Sequence, residues 1–225
     1  MTKTKRSRRA APPPRRGSTP STLILGLAGV VIAVAAVAAI LLTQSGSATV
    51  ASASPSVSAP SATSAVVTGT ALPAYDPGVV DPAVGQPAPQ VEGASFDGTP
   101  VSIKADGRPK LILFVAHWCS HCQTEVPVVQ SWLDAKGLPA GVDLISVSSA
   151  NDPTLPNYPP DAWLARERWS SPVIVDRDRG IATAYGLTAF PYWVAVDADG
   201  KVAGRLSGEL TPDQLDTLVA SLTGG

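Results

Sequence analysis

The chain of 225 residues holds two cysteines, Cys119 and Cys122, separated by Ser120 and His121. If Cys119 opens a helix, Cys122 lies one turn on, on the same face and within reach of a disulfide bond. A helix N-terminus carries partial positive charge, which favours a thiolate there over a thiol. The pair can therefore supply a nucleophilic sulfur and a second sulfur to resolve the mixed disulfide that the first one forms. Two cysteines allow a single intramolecular bridge and argue against a disulfide framework. His121 sits inside the pair, where a protonated imidazole stabilises the Cys119 thiolate. That stabilises the reduced form and makes the disulfide more oxidising. A reading from another class uses His117, Cys119, His121 and Cys122, four soft donors within six residues, as a copper or zinc site. Structural zinc sites usually draw ligand pairs from separate elements, and no second cluster follows here. Copper chaperoning would normally add a distant histidine or methionine, and neither is present after Met1. No metal and no cofactor are expected.

The elements around the cysteines must place them. Leu111 to Val115 is a short, bulky apolar run that reads as a buried strand. A helix then runs from the cysteines to about Ala135, with Lys136-Gly137 and Pro139 as stop signals. Pro127 kinks this helix on the expected reading and stops it on the plainer one. Further strands are predicted at Val101–Ile103, Val142–Ser148 and Val173–Val175. Asp161–Trp169 reads as a helix and Gly180–Tyr185 as a short one. Asn151–Pro160 contains four prolines in ten residues and is predicted to be a loop. Tyr192–Val196, the turn at Asp197–Gly200 and Lys201–Ser207 form a hairpin. At the C-terminus Thr211 caps a helix, Pro212 takes its first position, Gln214 completes a capping box and Gly224 ends it. Strands alternating with helices, then a hairpin and a last helix, predict an α/β sheet covered on both faces.

Composition divides the rest of the chain. Residues 1–22 carry seven basic side chains and no acid, and form a basic cytoplasmic arm. Residues 23–42 are twenty apolar or small residues without a charge, long enough at ~1.5 Å per residue to cross a bilayer core of ~30 Å. They are predicted to be a retained signal anchor. The alternative is a secretory signal cleaved near Ala51-Ser52-Ala53, although a signal's apolar core is usually shorter. Arg8-Arg9 lacks the residues that follow a twin-arginine signal. The basic arm stays inside, so either reading places the rest outside the cytoplasm, where disulfide chemistry is permitted. Residues 43–82, rich in Ser, Ala, Thr, Val and Pro, are predicted to be a flexible linker. Residues 83–225 are predicted to be the folded domain. From Asp76 onward there are 18 acids against 10 bases, which argues against nucleic acid as a partner.

Trp118-Cys119-Ser120-His121-Cys122 resembles the active-site segment of thioredoxin-like proteins, and of the membrane-tethered TlpA/ResA-type family among them. Matching features run in order from the Gly85-Gln-Pro-Ala-Pro89 entry through Glu125-Val-Pro127 and Tyr185-Gly186 to Phe190-Pro191 and Asp199-Gly200. The resemblance covers roughly Val84 to Leu222. It implies a thioredoxin-like fold, a central mixed sheet flanked by helices, behind one transmembrane helix. It implies Cys119 as the attacking thiol and Cys122 as the resolving thiol. Pro191 would be a cis-proline beside the cysteines, Phe190 would shape what approaches them, and Trp118 would form the rim. Thioredoxin places a buried aspartate six residues before the first cysteine, where this chain has Leu113. Glu125 matches the acid that TlpA/ResA-type proteins carry instead, and would take the proton of Cys122. The plainer reading of Glu125 is a first-turn glutamate favoured by the helix dipole. The family implies a reductant, as in cytochrome c maturation. Ser120-His121 leans instead toward the C-x-H-C type of disulfide-forming and isomerising proteins. The implied partners are protein thiols or disulfides and a membrane or extracytoplasmic electron partner, with residues 23–42 in the lipid bilayer. A redox-idle docking domain and a peroxidase are weaker readings of the same residues.

Overall fold

The computed structural model describes residues 64–224. The predicted basic arm, the membrane span at 23–42 and the linker as far as residue 63 lie outside the described residues. Within them no helix is long and apolar enough to cross a membrane.

Among the described residues, eight strands and four helices follow in the order β1 (Val66–Thr68), β2 (Gln90–Ala94), β3 (Pro100–Ile103), β4 (Lys110–Val115), α1 (Ser120–Lys136), β5 (Asp143–Ser148), α2 (Pro160–Arg166), β6 (Val173–Val175), α3 (Gly180–Ala184), β7 (Tyr192–Val196), β8 (Val202–Ser207) and α4 (Pro212–Thr223). Five strands form a mixed sheet in the order β6-β5-β4-β7-β8, and β1-β2-β3 form a separate antiparallel sheet. β4 is central, parallel to β5 and antiparallel to β7. Its alternate side chains explain why it reads as an unbroken apolar run. Leu111, Leu113 and Val115 join a core with α1, α2 and α4, including Val126, Val129, Trp132 and Leu215. Ile112 and Phe114 face the opposite core, with Ile181, Tyr185 and the residues of the N-terminal sheet. A strand covered on both sides has no polar face, as expected for the middle of an α/β sheet.

Several local signals translate directly. Thr211 Oγ1 accepts from the Gln214 N–H, the Gln214 side chain returns the bond to the Thr211 N–H, and Gly224 closes α4 in the left-handed region. Pro127 lies inside α1 and does not stop it. α2 ends at Arg166, before the predicted Trp169, and Arg168 adopts a left-handed φ of 56°.

The predicted linker boundary needs correction. Residues 66–82 belong to the folded unit: β1 pairs with β2, Leu72 is buried, and the Leu72 and Tyr75 N–H groups donate to the carbonyls of Ala184 and Gly186, both at 2.8 Å. Arg205 on β8 clamps this strap. Its Nε donates to Asp81 Oδ2 at 2.8 Å, its Nη1 to the Pro73 carbonyl at 2.8 Å, and its guanidinium lies over the Tyr75 ring. That same arginine holds the Asp81 carboxyl below its ordinary range. Gly186 makes the approach possible: a Cβ there would lie 2.2 Å from the Pro73 carbonyl oxygen, and φ is +70°. The composition of 66–82 cannot repay its own ordering, but partners more than 100 residues away in sequence do so.

Candidate active site

The chain leaves β4 at the C-terminal edge of the sheet and turns over four residues into α1. Cys119 is the N-cap of that helix, with extended backbone (φ −75°, ψ 120°), and its N–H donates to the Ala116 carbonyl at 3.1 Å. Its sulfur therefore sits at the positive end of a 17-residue helix. Both cysteines are free thiols. Cys119 is half-buried, and its S–H is directed at the Phe190 carbonyl, 3.7 Å away. Cys122 is fully buried, with the Ala116 N–H 3.5 Å from its sulfur. Burial pushes the Cys122 thiol far up from its ordinary value, and the charges of Cys119 and Glu125 add to this. One sulfur is reachable and the other is withheld.

Facing the sulfurs is the loop before β7. The Phe190–Pro191 bond is cis, Pro191 is buried and Phe190 is half-buried. The Trp118 ring meets Phe190 edge-on at 6.0 Å, and its indole N–H donates to the Ala150 carbonyl at 2.8 Å. The Gly208 N–H donates to the Pro191 carbonyl at 2.9 Å, tying the β8–α4 loop to the same wall. Trp118, Phe190 and Pro191 are thus gathered around Cys119.

Glu125 is not a first-turn residue, which corrects the plainer reading of it. It is the sixth residue of α1, on the face of Cys122, and only 1% exposed. Its Oε1 accepts from Trp193 Nε1 at 2.9 Å and its Oε2 from the Leu210 N–H at 2.9 Å. Burial raises its pKa to about 7, and the Leu210 and Trp193 bonds hold it below where burial alone would put it. A carboxylate poised there can accept a proton near neutral pH.

The two histidines part company. His121 is exposed, and its Nδ1 lies 2.7 Å from Glu209 Oε1. Its structural partner is that carboxylate, on the β8–α4 loop. His117 is fully buried. Its Nε2 accepts from the Asp152 N–H at 3.1 Å, so Nδ1 carries the proton and donates to the Pro156 carbonyl at 2.6 Å. With both ring nitrogens engaged, His117 pins the proline-rich loop 151–160 and cannot ligate a metal. Among the described residues, no group of three or more His, Cys, Asp or Glu side chains is placed to hold a metal ion. This contradicts the four-donor metal site.

Residues 83–221 match the sequence model of the family described as Redoxin. The chain belongs to the redoxin family. The thiol-disulfide oxidoreductase ResA of Bacillus anthracis is 27% identical to this redoxin over 142 residues, covering 62% of this chain and 79% of that one. Sporulation thiol-disulfide oxidoreductase A of Bacillus subtilis is 25% identical over 121 residues, 54% of this redoxin and 72% of that protein. The crystal structure of StoA from Bacillus subtilis shares the fold, with a TM-score of 0.50 at 23% identity, covering 61% of this redoxin and 98% of that chain. The architecture is accordingly a thioredoxin-like α/β fold with a central mixed sheet.

The sequence alone did not disclose Trp193, Glu209 and Leu210 as neighbours of the site. Glu125 meets Trp193 and Leu210 across separations of 68 and 85 residues, and no local pattern marks such contacts.

Proposed function

We propose that this redoxin is an extracytoplasmic thiol–disulfide oxidoreductase that reduces protein disulfides, a reductant of the cytochrome c maturation type. The observation that carries this reading is the inequality of the two sulfurs at the start of α1. Cys119 is reachable and faces the Phe190–Pro191 wall, whereas Cys122 is buried beside a carboxyl group with a pKa near 7.

The chemistry follows from that inequality. The Cys119 thiolate attacks one sulfur of a substrate disulfide, and the other substrate sulfur leaves as a thiolate that takes up a proton. Glu125 then accepts the proton of Cys122. The freed thiolate attacks Cys119 Sγ, closing the Cys119–Cys122 bond and releasing the second substrate sulfur as a thiolate, which takes up the proton that Glu125 accepted. One substrate disulfide becomes two thiols, and the enzyme dithiol becomes a disulfide. A membrane or extracytoplasmic dithiol partner must return two electrons to restart the cycle.

The curated relatives support the activity. The reducing direction is supported by Glu209, whose carboxylate lies 2.7 Å from His121 Nδ1 and offsets positive charge at that position, weakening the cue for an oxidising C-x-H-C pair. Equilibration of the purified domain with glutathione buffers tests this. A reduction potential near thioredoxin's, about −270 mV, is expected. A value near about −180 to −120 mV would replace the reductant with an oxidising or isomerising protein.

The charge-free span at 23–42 behind a basic arm supports a single-pass anchor with the N-terminus in the cytoplasm. The full chain should stay in the membrane fraction through a carbonate wash. Recovery of a soluble form beginning near Ser54 would establish a cleaved signal.

A further inference from the structure

The β8–α4 loop carries two neighbouring residues that both reach α1. Glu209 takes His121 through Oε1 at 2.7 Å, and Leu210 gives its N–H to the Glu125 carboxylate, at 2.9 Å to Oε2 and 3.2 Å to Oε1. Of these, His121 and Glu209 are exposed, while Leu210 and Glu125 are buried. The exposed pair is therefore a surface fastening for a buried hydrogen bond one residue away. We propose that His121 is a positioning residue for the redox step, acting through Glu209 to hold the Leu210 N–H on the Glu125 carboxylate and not acting on the Cys119 sulfur. It rests on Glu125 being the proton acceptor for Cys122, and it names the device that keeps that acceptor usable.

The physical reason lies in what the buried carboxylate has to work with. Its ionised form is opposed by burial and supported by the Trp193 and Leu210 donors. Trp193 belongs to β7 and is fixed in the core. Leu210 belongs to a loop; its side chain is seated in the same core, and the direction of its N–H is set by the loop backbone on either side. Gly208, bonded to Pro191, ties one end, and Thr211, the cap of α4, ties the other. Glu209 between them is tied by His121. Two charged or titratable groups bear on Glu125, namely Cys122 on its own helix and Glu209 on the loop, while Trp193 on β7 is uncharged. Losing the imidazole removes the anchor on Glu209 and loosens the Leu210 N–H from the carboxylate, which raises the proton affinity of Glu125. An exposed pair is weak, so the expected shift is about half a pH unit.

The test follows the Glu125 carboxyl by carbon NMR, the Leu210 amide by its proton shift, and the Cys119 thiolate by ultraviolet absorbance, all on the reduced domain. In His121→Ala the Glu125 midpoint should rise, the Leu210 amide should move toward weaker hydrogen bonding, and the Cys119 titration should hold. Glu209→Gln keeps an acceptor for His121 but removes the charge, so the Leu210 amide should hold while the Glu125 midpoint falls. In a Glu209→Ala background, His121→Ala should add nothing to either readout. If it still shifts Glu125 there, or if Cys119 moves while Glu125 and Leu210 hold, the proposal is overturned. These titrations do not depend on turnover. An unchanged exchange rate in Glu125→Gln would remove the proton-acceptor reading while leaving the positioning result to be judged separately.

Discussion

Replacing Glu125 with glutamine should change how stability depends on pH, in a direction and amount that the site dictates. The carboxyl pKa is about 7 in the folded protein against 4.5 for an ordinary glutamate. Between those values the folded state holds a proton that the unfolded chain has released, so stability falls as pH rises. The slope from one such group is about 1.4 kcal/mol per pH unit. Below pH 4.5 the group is protonated in both states and costs nothing, and above pH 7 its cost is fully present. Over that window the loss is roughly 3 kcal/mol. At 1% exposure little solvent screening reduces it. Glutamine cannot ionise. Its amide would face the Leu210 N–H donor to donor, a fixed cost that leaves the slope untouched. Urea unfolding of the reduced domain from pH 4.5 to 8 measures both proteins. The advantage of Glu125→Gln over wild type should grow by roughly 3 kcal/mol across the range and then level off. Parallel curves would show that Glu125 ionises as an exposed glutamate does, and the proton-acceptor role would lose its physical basis.

Two other perturbations test how the site is held. His117→Phe leaves the Asp152 N–H and the Pro156 carbonyl without partners, so the Asp152 amide should exchange with deuterium about tenfold faster or more while amides of β4 keep their protection. Unchanged exchange at Asp152 would mean that loop 151–160 is held by its own prolines. Arg205→Met leaves the half-buried Asp81 carboxylate and the Pro73 carbonyl without their donor, and should cost about 2 kcal/mol with loss of amide protection at Leu72 and Tyr75. Retained protection there would show that the strap does not need its clamp.

How far the sequence carried these conclusions depended on the range of the interactions involved. The capping box of α4 lies within four residues, and the apolar run of β4 is read by its neighbours in line. Cys119 and Cys122 are one helical turn apart, so their juxtaposition was legible from spacing alone. β2, by contrast, carries no local strand signal: Gln90-Val-Glu-Gly-Ala94 has one buried apolar residue and a glycine, and is a strand only through its partners. The strap at 66–82 reads as linker for the same reason, since Arg205 and Gly186 supply what its composition lacks. Sequence proximity points His121 at the Cys119 thiolate. The partner it meets, Glu209, is 88 residues away.

The central claim is that Cys119 attacks and Cys122 resolves. It is tested most directly by expressing the full chain with Cys122→Ser and, separately, with Cys119→Ser, quenching with acid, and separating proteins without reductant. Cys122→Ser should accumulate dithiothreitol-sensitive adducts with other proteins, because the mixed disulfide at Cys119 can no longer be resolved, and Cys119→Ser should give none. Adducts formed equally by both variants, or by Cys119→Ser alone, would contradict the account.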